Sequence, residues 1–112
     1  YMFFKKIKER HDALANTKLP QEEVAKLIKT GAILVDVRSK LETKLRSVPG
    51  ATNIPVMRIK KHLNELPRDR TLVLFCGTGG RAGKAKEIFD ANGFKAVNGG
   101  GYKVILKILE SK

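Results

Sequence analysis

The chain has 112 residues, 42% of them hydrophobic, which suits one compact domain with its own core and excludes two. A single cysteine excludes an internal disulfide and any cysteine-based zinc site within one chain. A net charge of +12 keeps nucleic acid, acidic membranes and small anions open as partners.

Residues 2–16 read as a basic amphipathic helix with Phe3, Phe4, Ile7, His11 and Leu14 on one face, so that 1–17 form an arm ahead of a domain at 18–112. In 19–31, Pro20 suits a first helical turn, Glu22 and Glu23 suit the positive end of the dipole, and Gly31 stops the helix. The run AILVDV (32–37) is continuous and apolar, as in a strand covered on both faces. A short helix is expected around Leu41–Leu45, then a turn and a brief strand in VPGATNIP (48–55). Residues 56, 59, 63 and 66 carry apolar side chains at helical spacing before Pro67. TLVLFC (71–76) is a second doubly buried strand, and 81–93 a helix with Ala82, Ala85, Ile88 and Phe89 inward and Gly93 at its end. FKAVN is a further short strand, GGG a turn, and 102–112 a closing helix. Strands alternate with helices over short connections, which predicts an α/β three-layer sandwich, its mostly parallel central sheet flanked by helices on both faces.

The segment LVLFCGTGGRAGKA (72–85) places the only thiol between a strand and a glycine-rich helix start. Ligands of open α/β sheets bind at the carboxyl ends of the strands, where Cys76 falls. Glycines let successive N–H groups converge, and the helix N-terminus adds its own. Gly77, Thr78, Gly79, Gly80, Arg81 and Ala82 thus form a cradle of donors for an anion, with sulfur at its base. Such a field favours thiolate over thiol. A thiolate there is a nucleophile toward oxyanions of sulfur, phosphorus or arsenic. The competing reading is a buried cysteine that merely ends a strand.

Three landmarks resemble the rhodanese (thiosulfate sulfurtransferase) homology domain across about residues 19–105: LVDVR (34–38) followed by PGATNIP (49–55), the Cys76 segment, and GFKAVNGGGY (93–102). The resemblance implies a rhodanese-like fold. It also implies that Cys76 takes the outer sulfur of a donor such as thiosulfate, carries it as a persulfide, and passes it to cyanide or a thiol. Gly77–Ala82 would stabilise the persulfide and the departing anion, and Arg81 would draw anionic donors. No metal or organic cofactor is required. The partners are then a small anionic sulfur donor and a thiol or cyanide acceptor, with a sulfur-carrying protein also open. Two alternatives stand beside this reading: a non-catalytic binding module, and a phosphatase or arsenate reductase. Those last enzymes use a Cys-x5-Arg loop, whereas four residues separate Cys76 from Arg81, a ring suited to a single sulfur.

Asp36 and Arg38 fall on the same sheet edge as Cys76 and suit a structural pair better than a catalytic one. His11 and His62 lie on separate lysine-rich helices and carry no metal-site pattern. NGGG (98–101) lacks the lysine and serine of a phosphate loop and reads as a tight turn. The basic charge is scattered and the seven aromatics do not interleave with it, so no nucleic acid partner is expected. No membrane span is expected, because no stretch approaches the ~20 apolar residues required. The charged N-terminus lacks a signal core, so a cytoplasmic monomer is expected, or a periplasmic one if a signal or anchor has been removed.

Overall fold

The computed structural model describes residues 17–111. The helix expected over 2–16, and His11 with it, lie outside these. Along the described chain come α1 (Gln21–Lys29), β1 (Ile33–Asp36), α2 (Lys40–Leu45), β2 (Thr52–Asn53), α3 (Ile59–His62), β3 (Leu72–Cys76), α4 (Gly80–Ala91), β4 (Ala96–Gly101) and α5 (Tyr102–Glu110). The sheet has the order β2-β1-β3-β4, and every neighbouring pair is parallel.

The continuous apolar runs are explained by the two faces of this sheet. Side chains alternate along a strand. Leu72, Leu74 and Cys76 of β3 pack with Val35 and Val37, and with Ala82, Ala85 and Phe89 of α4. Val73 and Phe75 point the other way, toward Leu34, Val24 of α1, and Ile105 and Ile108 of α5. Each fully buried large side chain of β3 is worth roughly 1.5–3 kcal/mol, which makes this strand the rigid base from which Cys76 projects. Among the described residues, no helix is long and apolar enough to cross a membrane.

Two expectations about local structure are corrected. Residues 56–66 are not one helix: α3 is flanked by tighter helical turns at Val56–Arg58 and Leu63–Glu65. The apolar spacing accounts for this, since the pairs 56/59 and 63/66 lie three apart, the spacing at which a 3-10 turn stacks side chains. The segment NGGG is not a turn either. β4 runs through it, its ladder with β3 slipping after Leu74 so that Cys76 pairs with Gly101. A Cβ on Gly101 would lie 2.6 Å from the carbonyl oxygen of Gly77, so glycine is required for the strand to pass this close to the cysteine loop.

Candidate active site

Cys76 ends β3 with only 1% of its surface exposed. Its Sγ accepts a hydrogen bond from the N–H of Gly79 at 3.0 Å. Gly79 takes φ +111°, a region that other residues avoid, and this wraps the loop back over the sulfur. The helix begins at the next residue, so the N–H groups of Gly80, Arg81 and Ala82 have no carbonyl partner within α4. The α4 dipole adds its positive end at the same place. Thr78, Gly80 and Arg81 are exposed, whereas Gly79 and Ala82 are buried. The methyl of Ala82 belongs to the same core cluster as Cys76, which seats the helix start against the strand.

Asn98 fixes this loop from behind. It is buried in β4, donates from Nδ2 to the carbonyl of Gly79 at 2.9 Å, and accepts at Oδ1 from the N–H of Gly100 at 2.9 Å. The methylene stem of Lys18 lies over Gly79, where an added Cβ would meet Lys18 Cε at 2.9 Å. The sequence reading assigned no role to either residue. The asparagine ahead of the glycines was the available signal for Asn98.

The structure puts Arg81 in a different electrostatic setting from a free cation. Its Nη1 and Nη2 donate to Glu42 Oε1 and Oε2 at 2.6 and 2.9 Å. Glu42 in turn accepts from Ser39 N and Oγ, completing the capping box of α2. The pair raises the Arg81 pKa, chiefly through Glu42, with a smaller contribution from Cys76. An Nη2 of Arg81 would lie 3.1 Å from a Cβ at Gly77, so the guanidinium covers the loop.

Glu42 itself is held at a pKa of about 2 against its ordinary 4.5, first by Arg81 and then by Ser39. A carboxylate depressed in the fold adds stability above its unfolded pKa, and that stability is lost as pH falls from about 4.5 through about 2. The Arg81 and Glu42 side chains are 44% and 41% exposed, so solvent screens the pair and its worth stays well below the shift taken at face value. Glu42→Gln retains the cap but removes the charge. Its urea midpoint should lie below wild type at pH 7, with the gap closing between pH 4.5 and 2. A gap constant across that window would show that the charge on Glu42 contributes nothing to the fold.

Asp36 and Arg38 form a buried pair, at 1% and 2% exposure. Arg38 Nε donates to both carboxylate oxygens, its Nη2 donates to Oδ2 at 2.7 Å and to the carbonyl of Arg46, and its guanidinium lies 4.2 Å from the Tyr102 ring centroid. All of these bonds are internal, and they clamp the end of β1 to the loop after α2. His62 meets Glu65 on the surface, and no group of three metal-ligating side chains assembles among the described residues.

Residues 20–106 match the Rhodanese-like domain family. The chain belongs to that family. This rhodanese-like chain is 35% identical over 74 residues to thiosulfate sulfurtransferase PspE of Escherichia coli, an alignment covering 63% of the chain and 71% of PspE. It is 38% identical over 65 residues to the tRNA sulfurtransferase of Desulfurococcus amylolyticus, covering 58% of the chain but 13% of that protein. In most of the curated relatives the aligned segment spans less than two thirds of their length. The crystal structure of a rhodanese-like domain protein from Staphylococcus aureus superposes with a TM-score of 0.69 at 30% identity, covering 79% of this chain and 89% of the other. These relationships support sulfur transfer as the general chemistry of the domain.

Proposed function

We propose that this domain is a sulfurtransferase that carries a sulfane sulfur from thiosulfate, or a related persulfide donor, on Cys76. The observation that carries the reading is the single thiol at the end of β3, hydrogen-bonded to Gly79 N–H at the start of a twelve-residue helix. The Cys76 thiolate attacks the outer sulfur of thiosulfate. The sulfur–sulfur bond of the donor breaks, and sulfite leaves with the electron pair. Cys76 then holds a persulfide, Cys76–S–S⁻. Backbone N–H groups of the loop and first turn, fixed before the reaction, stabilise the anionic sulfur and the leaving sulfite. In the second half, cyanide or a thiolate attacks the terminal sulfur, and Cys76 returns as thiolate. No oxidant or reductant enters either step.

Wild-type protein treated with thiosulfate should gain one sulfur atom by intact-protein mass spectrometry, lose it on reduction, and form thiocyanate when cyanide is added. Failure to gain sulfur from thiosulfate, glutathione persulfide or polysulfide would leave a binding module in place of an enzyme.

A further inference from the structure

Lys18 stands just ahead of α1, and its neighbours fix its backbone. The N–H of Leu19 donates to the carbonyl of Asn98 at 2.9 Å, which ties this segment to β4, the strand at one edge of the sheet. Pro20 follows, its φ of -57° set by the ring. Lys18 is thereby laid across two glycines beside the thiol, Gly79 at φ +111° and Gly100 at φ +90°. Neither glycine has a side chain, and the lysine stem fills the space that one would take. A Cβ on Gly79 would meet Lys18 Cγ and Cδ at 3.2 Å and Cε at 2.9 Å, and a Cβ on Gly100 would meet Cδ at 3.6 Å. Gly79 is the residue whose N–H bonds Cys76 Sγ. The Lys18 ammonium group, one bond beyond Cε, therefore lies over the loop that holds the sulfur.

The charge on this lysine is not spent within the fold. Arg81 shares its charge with Glu42, whereas Lys18 forms no ion pair among the described residues. Lys18 is also exposed, so an anion arriving from solvent can reach it. Thiosulfate carries two negative charges, and only its outer sulfur has to meet Cys76. Its sulfonate oxygens stay on the far side of the bond that breaks. We propose that Lys18 is a donor-binding residue, whose ammonium group pairs with the sulfonate oxygens while the outer sulfur lies at Cys76. The inference rests on the sulfur-transfer reading. In the loading step, Cys76–S⁻ and thiosulfate dianion give Cys76–S–S⁻ and sulfite dianion. Lys18 neither gains nor loses a proton there. It acts as a compact point charge on a flexible stem, and it meets the same oxygens before and after the sulfur–sulfur bond breaks.

The test compares four forms of the whole chain: wild type, Lys18→Met, Lys18→Arg and Lys29→Met. Methionine keeps an unbranched stem over the glycines and removes the charge. Arginine restores the charge. Lys29 ends α1 just before β1 begins, at the opposite edge of the sheet from Cys76, so Lys29→Met makes the same change in net charge away from the thiol. Lys18→Met should lower kcat/KM for thiosulfate about tenfold, with Lys18→Arg and Lys29→Met within about twofold of wild type. Discharge of the Cys76 persulfide by dithiothreitol, a neutral thiol, should be unchanged in all four. The gap between wild type and Lys18→Met should narrow as salt rises from about 50 to 500 mM, because screening weakens the lost attraction. A thiosulfate kcat/KM for Lys18→Met equal to that of Lys29→Met would overturn the proposal and leave sulfur transfer standing. Equal losses in loading and discharge, not restored by arginine, would also overturn it, since they would show that the stem merely shapes the loop. Wild-type protein that takes no sulfur from thiosulfate would overturn the sulfur-transfer reading for this donor and the role of Lys18 with it.

Discussion

Cys76→Ser should give a folded protein that takes up no sulfur and forms no thiocyanate, with turnover reduced by roughly a thousandfold or more. Serine fills nearly the same space, and its hydroxyl oxygen can accept the Gly79 N–H bond now made to Sγ. The loop therefore keeps its anchor, and the thermal midpoint should stay close to wild type. What is lost is the nucleophile: an alcohol stays protonated at neutral pH and has no sulfur with which to hold a persulfide. Cys76 is the only cysteine, so sulfur gained by the variant could not be a cysteine persulfide. The measurements are intact mass after thiosulfate exposure and thiocyanate yield with cyanide. Transfer that survives the substitution would end the proposed mechanism.

The parts of the site that lie close together in the chain were legible in the sequence. LVLFC announces a strand buried on both faces, and GTGGR announces a loop rich in backbone donors, because each property belongs to consecutive residues. The parts that come together through packing were not. Glu42 and Arg81 stand 39 residues apart and meet only because α2 and α4 both begin at the carboxyl edge of the sheet. The Ser39-x-x-Glu42 spacing is a readable capping signature, and it places Glu42 in the first turn of α2. Nothing in that signature says that the same carboxylate also accepts two bonds from Arg81. The reading of Arg81 as a charge offered to the donor therefore needs an adjustment: the charge is shared with Glu42 while Arg81 also interacts with Cys76, and the backbone bond to the sulfur comes from Gly79. The glycines of β4 misled for a related reason. Glycine most often marks a turn, but Gly101 is needed for the close passage of two backbones, and only the register of β3 with β4 makes that visible.

Arg38→Leu should be the most destabilising single change away from the thiol, at about 3–5 kcal/mol, the cost of removing one partner from a buried ion pair. Asp36 is 1% exposed and would keep its carboxylate without the guanidinium that now bonds both oxygens. The remaining donors are the Arg38 backbone N–H and the Thr43 hydroxyl, each at 3.0 Å, which are too few to compensate a buried charge. The carbonyl of Arg46 loses its partner as well, and Tyr102 loses the cation over its ring. The pair holds the loop after β1, so its loss should also disorder the Arg38–Arg46 segment that presents Glu42 to Arg81. Adding Asp36→Asn removes the orphaned charge: its one amide oxygen keeps the acceptor for the Arg38 backbone N–H, and its Nδ2 can donate to the Thr43 hydroxyl, which turns to accept. The double variant should therefore be more stable than Arg38→Leu alone, although it carries one more substitution. Urea unfolding of wild type, both single variants and the double variant closes the cycle. A double variant no more stable than Arg38→Leu would mean that lost packing, and not an unpaired carboxylate, sets the cost.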